Sequence, residues 1–393
     1  MVSQLSATEI ASLACRLLFL FPLVLPFNIL RTCLLAASRG LNPLRHYPTV
    51  GIYRTLLTTF THRQAQSLLP LSSKAYTKWM VAKHKGYPPS VASKVFTVDI
   101  DPVPGSAASL LWIGDRKTAT KFVLLAHGGG FYLPLDKGHL EWALQCFVQG
   151  TTERSLETSD VAVAMLDYSL APGAVYPAQL IEASQAAKYL LSPREGGGHG
   201  IPPGRLLVGG DSAGGTITAG LVSHLGHAHP RAEGIELAEP LAGVFLVSPW
   251  VGGCLGRQAG LSSWRENGKR DMLTIEVIRG LEKMVFEGTE WERERMEGKG
   301  WGLPLDVDAS WLEGVESVVR KVYVTVGELE VMRDQGVECA RRLEKVGRGS
   351  KMEVVLDVLE GQAHEFIVLE AGAGKGGPAL GKMSDWVKSA FGV

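Results

Sequence analysis

Short apolar runs alternate with segments of helical periodicity from about residue 121 to the end of the chain. The segment 177–191 begins with a proline and places Leu180, Ala183 and Ala187 at helical spacing. Strands that alternate with helices form a mostly parallel sheet covered by helices on both faces. The sequence therefore predicts an α/β fold around such a central sheet. The predicted strands are residues 122–126, 161–166, 206–208, 244–247, 322–326 and 354–358.

Two segments fall outside this alternation. Residues 41–100 precede the sheet, and residues 251–314 interrupt it with four tryptophans and with five charged residues at 292–297. We predict that both segments contribute to a cap over the α/β core. The expected division is an apolar segment at 1–40, an N-terminal cap region at 41–110, a core formed by 111–250 and 315–393, and a cap insertion at 251–314.

The composition argues against several classes of protein. The 393 residues are 46% hydrophobic, and 40 basic side chains balance 40 acidic ones, so the chain has enough apolar surface to form a large core. No block of Lys and Arg indicates nucleic-acid binding. The five cysteines are odd in number, far apart and never in a Cys-x-x-Cys pair, which argues against a disulfide framework and a cysteine-based zinc site.

The longest apolar stretch lies near the N-terminus, at residues 10–38. Its charge-free run, 17–30, would form a helix of about 21 Å, whereas the hydrocarbon core of a bilayer is about 30 Å thick. Spanning would require Arg16 or Arg31 to reach the headgroups, and Pro22 and Pro26 would kink the helix. A cleaved signal peptide fits poorly, because residues 1–15 contain no Lys or Arg.

We expect residues 10–38 to associate with a membrane. Arginines follow the apolar run, so a spanning helix would leave the bulk of the chain in the cytosol. The alternative is a soluble cytoplasmic protein in which this helix packs on the cap.

The strongest chemical signal is the sequence Gly-Gly-Asp-Ser-Ala-Gly-Gly at 209–215. It contains Gly-x-Ser-x-Gly between a predicted strand and a helix-compatible run at 217–225. Glycines two residues on either side of Ser212 permit a sharp turn that exposes the hydroxyl group, and the helix N-terminus favours negative charge there. The pattern predicts a nucleophilic serine. A tight turn or a phosphate-binding loop is the alternative.

A second glycine-rich loop, His-Gly-Gly-Gly-Phe at 127–131, also follows a predicted strand. Consecutive glycines leave backbone N–H groups free to bind a developing oxyanion, and each such donor contributes about 3 kcal/mol when it is preorganised. We expect Gly129 and Gly130 to donate to the oxyanion hole together with Ala213, while Gly128 supports the loop. The two loops together favour a hydrolase over a simple turn.

A serine nucleophile needs a base that a carboxylate orients. His364 follows the last predicted strand, in a loop that Gly361 opens, and is the strongest candidate for the base. His224, His227 and His229 form a cluster with some metal-ligand character. We interpret this cluster as a solvated helix end, because no constellation of Cys or carboxylates accompanies it in the sequence. No metal or other cofactor is expected.

The orienting acid should follow the strand at 322–326, where Glu328, Glu330 and Asp334 compete. Each of them can instead cap or solvate the next helix. We select Glu330, with Asp334 as the second choice. The resulting chain order, Ser212, Glu330 and His364, is that of the triad of α/β-hydrolases.

These motifs resemble those of the hormone-sensitive-lipase-like branch of the α/β-hydrolases. That branch includes membrane-associated fungal steryl acetyl hydrolases and esterases of fungal secondary metabolism. Tyr-Ser-Leu-Ala-Pro at 168–172, followed by Tyr-Pro-Ala at 176–178, is similar to the branch's segment Tyr-Arg-Leu-Ala-Pro and Pro-Ala. The resemblance covers residues 110–393 and implies the α/β-hydrolase fold.

The chain departs from the family pattern at three places. Ser169 stands where the usual residue is Arg, and Gly173 where it is Glu, so the resemblance implies that an ion pair supporting the oxyanion loop is absent. Glu-Val-Met at 330–332 replaces the usual Asp-Pro-Leu.

We therefore predict a serine hydrolase that cleaves a small carboxylic ester, such as an acetate of a sterol or other hydrophobic alcohol, through an acyl-enzyme. One alternative is a biosynthetic enzyme that uses the same serine for acyl transfer or condensation on a polyketide-like intermediate. Another is a binding protein that has lost catalysis. The tryptophans of the insertion are compatible with a hydrophobic substrate, although core packing is their commoner role. The expected partners are this substrate and, through residues 10–38, a membrane.

Overall fold

The computed structural model describes residues 5–150, 156–254, 261–374 and 376–392. Within these ranges, the strands are β1 (Ile100–Pro102), β2 (Ser109–Ile113), β3 (Lys121–Ala126), β4 (Val161–Asp167), β5 (Leu206–Asp211), β6 (Gly243–Val247), β7 (Lys321–Gly327) and β8 (Glu353–Leu359).

The helices form three groups along the chain. Those before the sheet are α1 (Ala7–Cys15), α2 (Phe21–Ala37), α3 (Tyr47–Thr59), α4 (His62–Leu68), α5 (Ser72–Gly86) and α6 (Pro89–Val95). Those between the strands and in the insertion are α7 (Lys137–Trp142), α8 (Ala178–Leu191), α9 (Ser212–Gly226), α10 (Ser262–Asn267), α11 (Ile275–Val285), α12 (Trp291–Met296) and α13 (Val315–Val318). The last are α14 (Arg333–Gly347), α15 (Phe366–Gly372) and α16 (Pro378–Phe391).

The strands form one sheet in the order β1-β2-β4-β3-β5-β6-β7-β8. The pairs β1–β2 and β2–β4 are antiparallel, and the other neighbours are parallel. All six predicted strands are present, and β5 extends the predicted run to Asp211. The mostly parallel α/β sheet is therefore confirmed. The sequence did not indicate β1 and β2, which form the antiparallel edge.

The central strands read as unbroken apolar runs because both of their faces are covered. Along β3, Phe122 and Leu124 belong to one buried cluster, whereas Val123 and Leu125 belong to another. Successive side chains point to opposite faces of a sheet, so each strand supplies two cores at once.

The parallel strands bring the predicted functional segments to one edge of the sheet. Ala126 at the end of β3 pairs with Gly210 in β5, and Gly327 at the end of β7 pairs with Leu359 at the end of β8. The segments that follow these strands therefore start side by side, outside the carboxyl ends of the sheet.

The N-terminal helix α2 is docked on α3. Its backbone passes so close to Gly51 that a Cβ there would lie 2.7 Å from the Cα of Ile29. The buried Asn28 donates a hydrogen bond to the hydroxyl of Thr55 at 3.0 Å, and Thr32 donates to a backbone carbonyl of α3 at 2.8 Å. The helix is thus fixed to the fold by polar contacts along one side.

The other side of this helix is apolar and exposed. Residues 7–37 form one continuous helix, α1 to α2 with a π-helical turn at Arg16–Leu20, that is long and apolar enough to cross a membrane. The exposed large apolar residues of this side are Leu18, Phe19, Leu23, Phe27, Leu30 and Leu34.

The tryptophans of the insertion pack inside the protein. Trp264, Trp291, Trp301 and Trp311 are all buried in the same apolar cluster as the central strands. Of the two explanations offered by the sequence, core packing therefore accounts for them.

Candidate active site

Ser212 lies at the turn between β5 and α9, with a left-handed backbone (φ 48°). The chain passes so close to β3 that a Cβ at Gly210 would lie 2.3 Å from the carbonyl oxygen of Ala126, and one at Gly214 would lie 2.0 Å from it. Only glycine fits at these two positions. The glycine spacing of the motif thus produces the sharp turn that presents Ser212 at the start of a helix.

His364 lies between Ser212 and Glu330. Its Nε2 is 2.9 Å from the Oγ of Ser212, and its Nδ1 is 3.1 Å from an Oε of Glu330. All three side chains are buried. An imidazole protonated on Nδ1 would donate to the carboxylate and accept from the hydroxyl group, which is the arrangement that proton transfer from the serine requires.

The surroundings of His364 favour its charged form. Burial opposes the imidazolium, but the hydrogen bond to Glu330 and its negative charge, with smaller effects of Asp271 and Asp211, outweigh this and raise the pKa of His364. An imidazolium formed when the serine loses its proton is therefore stabilised in place.

Of the three competing carboxylates, Glu330 is the one that reaches His364. Asp334 instead accepts hydrogen bonds from the hydroxyl of Ser262 and the backbone N–H of Ser263, both at 2.9 Å. These bonds tie the start of α14 to the start of α10. Partial burial opposes ionisation of Asp334, but these bonds, together with a hydrogen bond and the positive charge of Arg333, hold its pKa below the usual value.

Glu328 connects the loop that carries His364 to the N-terminal segment. Its carboxylate lies 2.5 Å from a guanidinium nitrogen of Arg39 and accepts the N–H of Gly361 at 2.9 Å. The hydroxyl of Tyr47 donates to the carbonyl oxygen of the same glycine. The loop that carries His364 is therefore braced from outside the α/β core.

The glycine-rich loop after β3 has left-handed backbone at three consecutive residues, Gly129 (φ 102°), Gly130 (φ 59°) and Phe131 (φ 65°). Among the residues that the structure describes, the N–H groups of Gly129, Gly130 and Ala213 have no hydrogen-bond partner. The N–H of Gly128 donates to an Oδ of the aspartate before Ser212 at 3.0 Å. Gly128 thus holds the loop against the turn, and the other three donors are free.

The segment at 168–172 forms hydrogen bonds with this loop and with α8. The backbone N–H and hydroxyl of Ser169 donate to the carboxylate of Glu182 at 2.7 and 2.6 Å. The hydroxyl of Tyr168 donates to the carbonyl oxygen of His127 at 2.9 Å. The hydroxyl of Tyr168 therefore connects this segment to the glycine-rich loop, whereas Ser169 connects it to α8.

One buried carboxyl group beside His364 was not indicated by the sequence. Asp271 accepts the backbone N–H of His364 at 3.0 Å and that of Val331 at 2.7 Å. Burial raises the pKa of Asp271 to about 6, although the nearby imidazole lowers it. The amide of Asn267 also donates to the carbonyl oxygen of Glu330 at 2.9 Å. Residues of the insertion thus fix the loops that carry His364 and Glu330.

The interpretation of residues 224–229 as a solvated helix end is wrong. His224 and His229 are buried, and the Nδ1 of His224 accepts the N–H of His229 at 2.9 Å. The Nε2 of His229 lies 3.1 Å from a carboxylate oxygen of Glu294, and its ring packs against Trp301. The insertion covers this end of α9, and a contact of that kind leaves no pattern in the local sequence.

An apolar cavity of about 410 Å³ opens beside Ser212 and His364. Most of its lining residues are aliphatic or aromatic, and they come from both segments predicted to form the cap. None of the four tryptophans of the insertion lines it. Residues of the N-terminal helices and of the insertion that line it include Ile52, Leu56, Phe60, Leu69, Leu273 and Leu281.

The chain is similar to known proteins in both sequence and fold. A family model described as alpha/beta hydrolase fold matches residues 123–368. Neutral cholesterol ester hydrolase 1 of Rattus norvegicus is 24% identical over 290 residues, which are 63% of this chain and 67% of that protein. Arylacetamide deacetylase of Bos taurus is 23% identical over 334 residues, which are 72% of this chain and 78% of that protein.

Among solved structures, an esterase from the bacterial hormone-sensitive lipase family superposes with a TM-score of 0.62 at 20% identity. The superposition covers 87% of this chain and 96% of that one, which shows a shared fold. Because the family model spans more than half of the chain, the chain belongs to the alpha/beta hydrolase family.

Proposed function

We propose that this hydrolase cleaves carboxylic esters, with Ser212 as nucleophile, His364 as general base and Glu330 as the acid that orients the base. The observation that carries the proposal is the hydrogen-bonded chain from Ser212 through His364 to Glu330, with distances of 2.9 and 3.1 Å, beside an apolar cavity. The two named relatives, a cholesterol ester hydrolase and a deacetylase, support the same class of reaction.

The reaction would start with attack of the Ser212 Oγ on the acyl carbon, while the Nε2 of His364 takes the hydroxyl proton. The carbonyl electrons move to the oxygen, which the N–H groups of Gly129, Gly130 and Ala213 bind. The bond to the alcohol then breaks, and the imidazolium returns the proton to the leaving alkoxide. Water attacks the acyl-enzyme by the same route and releases the acid.

The cavity and the relatives together support a substrate class. The apolar lining favours an ester with a bulky hydrophobic part, since few polar groups are available to bind a polar one. One relative is named for cholesterol esters and another for deacetylation. We infer that the substrate is an acetate or similar small acyl ester of a hydrophobic alcohol, such as a sterol or natural product.

Activity on two ester series tests this proposal. One series varies the acyl chain of p-nitrophenyl esters, and the other varies the alcohol of acetates from ethanol to a sterol. We expect kcat/KM to be highest with acetyl and to rise with the apolar size of the alcohol. An enzyme that neither turns over any member nor reacts with a fluorophosphonate would contradict the proposal. Formation of a transfer product in place of free acid, with an acceptor alcohol present, would favour acyl transfer.

The exposed face of α1 and α2 supports membrane association. Because Asn28 and Thr32 bind α3 through buried hydrogen bonds, the helix lies along the fold with its apolar side outward. We infer that it lies in one leaflet instead of spanning the bilayer. An apolar substrate would then be available on the same surface.

A further inference from the structure

Glu365 follows the base directly, and its carboxyl group lies under the oxyanion loop. Its backbone is left-handed (φ 61°), a conformation that a residue with a side chain adopts only where its surroundings enforce it. A Cβ on Gly128 would lie 2.7 Å from an Oε of Glu365 and 2.1 Å from an Oδ of Asp211. The same Oε is 3.6 Å from the Nε2 of His364. One carboxyl group therefore lies against three parts of the site.

Asp211 is the other half of this arrangement. It ends β5, directly before Ser212, and is fully buried. Its Oδ2 accepts the N–H of Gly128 at 3.0 Å and faces the Nε2 of His139 at 3.3 Å. Among the described residues, its Oδ1 and the Oε2 of Glu365 are buried without a hydrogen-bond partner. Two adjacent carboxyl groups satisfy each other only when a proton lies between them.

The charges around the pair indicate which group holds the proton. His139 lies between Asp136 and Asp211, and these carboxylates raise its pKa well above the usual value despite burial. Its positive charge thus stabilises both as anions. Burial and the charge of Asp211 raise the pKa of Glu365 well above its usual value, so Glu365 is the neutral member. The other titratable groups that face the pair are His127, Tyr53, Tyr168 and His364.

We propose that Glu365 is a positioning residue that shares a proton with Asp211 and so joins the loop of His364 to the loop of Gly128 and the turn of Ser212. The pair connects the base, the nucleophile and the oxyanion donors through a single hydrogen bond. This role rests on the proposed function of the three groups. Glu365 takes no part in the transfer of the serine proton.

Two substitutions of Glu365 distinguish a role that depends on the shared proton from one that depends only on the size of the side chain. Glu365→Gln keeps a donor toward Asp211, whereas Glu365→Ala removes it. We expect kcat of Glu365→Ala to fall about a hundredfold, as misplacement of reacting groups by about 1 Å does, with KM for a p-nitrophenyl ester changed less than threefold. Glu365→Gln should stay within about fivefold of the wild type. Equal kcat values for the two variants, whether normal or impaired, would overturn the proposal.

The pH dependence of thermal stability tests the proton directly. The raised pKa of Glu365 means that the folded protein keeps this proton to higher pH than the unfolded chain does. The wild type therefore loses stability as pH rises from about 4.5 through the folded pKa, and Glu365→Gln does not. We expect the Tm of Glu365→Gln minus that of the wild type to increase between pH 5 and pH 9. A constant difference would overturn the proposal, even if no ester substrate has been found.

Glu338→Gln is a matched control for this measurement. Glu338 lies on α14, where hydrogen bonds from Arg341 and Arg342 lower its pKa to about 2. Glu338 is ionised in both the folded and the unfolded chain from about pH 6, so its Tm difference from the wild type should stay constant above that pH.

A divalent cation is the competing explanation for the unpartnered oxygens, because one ligand atom each from His139, Asp211 and Glu365 lies within 4.8 Å of the others. The shared proton predicts that treatment with EDTA leaves the Tm unchanged. A fall in Tm that Zn²⁺ or Mg²⁺ reverses would overturn it.

Discussion

The carboxyl edge of the sheet and the N-terminal helices face the same cavity, but their residues reach it in different ways. At the sheet edge, each chemical group follows a strand end closely: Ser212 follows β5 directly, and Glu330 comes three residues after β7. The helices instead contribute side chains from a helix face, such as Ile52 and Leu56 of α3, with no motif around them. Reacting groups need fixed positions, whereas an apolar wall needs only volume and hydrophobicity. The need for fixed positions produces a recognisable sequence motif, whereas the need for an apolar wall does not.

The largest effect should come from the nucleophile at the sheet edge. Ser212→Ala removes the atom that forms the acyl-enzyme, so kcat should fall by a factor on the order of a million if the three groups act as a unit. Hydrolysis of p-nitrophenyl acetate measures this, and circular dichroism should show an unchanged fold. Ser389→Ala, on α16 and outside the cavity lining, is the control that should keep the full rate. Substantial esterase activity in purified Ser212→Ala would contradict the mechanism.

The next effect distinguishes the acid from its neighbour. Glu330→Gln removes the carboxylate that orients His364, and kcat should fall by about three to four powers of ten, as in other triads. Asp334→Asn removes a charge of the same sign one turn later, where the carboxylate accepts hydrogen bonds from Ser262, Ser263 and Arg333. Its kcat should remain within about threefold of the wild type. The reverse order of effects would mean that the acid has been misassigned.

A smaller effect is expected at Asp271, where the insertion meets the sheet edge. The substitution Asp271→Asn replaces one acceptor of the N–H groups of His364 and Val331 with a donor, so both loops should loosen and kcat should fall about a hundredfold. It also removes a negative charge that raises the pKa of His364. The acidic limb of kcat/KM should therefore move to lower pH. If kcat falls but the acidic limb of the pH profile stays in place, Asp271 acts only by positioning the two loops and not through its charge.

These residues also show what the sequence could predict. The six parallel strands were predictable because burial on both faces leaves unbroken apolar runs, and Ser212 because the turn tolerates only glycine at positions 210 and 214. Asp271 was not predictable, since its contacts join it to residues 60 and 93 positions away. His229 was misread for the same reason. A partner distant in sequence determines the environment of His229, and the spacing of nearby residues does not indicate that partner.

The smallest catalytic effect should come from the outer face of α2, which is part of the N-terminal layer but not of the cavity wall. Leu23 and Phe27 are 72% and 62% exposed, and neither lines the cavity. The double variant Leu23→Gln, Phe27→Gln should therefore leave kcat on a soluble ester within about twofold of the wild type. Full burial of such side chains in lipid contributes about 1.5–3 kcal/mol each, so binding to phosphatidylcholine vesicles should weaken at least tenfold in a sedimentation assay.

Point substitutions are a sharper test of this face than removal of the segment. Deletion of residues 1–38 should also release the enzyme from membranes and keep much of its activity on a soluble ester. However, the deletion removes the hydrogen bonds of Asn28 and Thr32 to α3, and the other side of α3 forms part of the cavity wall. Val81→Gln is a matched control, because this residue is an exposed apolar side chain on α5, outside α2. It should change neither vesicle binding nor kcat. If the wild type stays entirely in the soluble fraction, or if the double variant binds vesicles as well as Val81→Gln does, the outer face of α2 is not a membrane surface. In that case the only role of α2 that the structure supports is packing against α3.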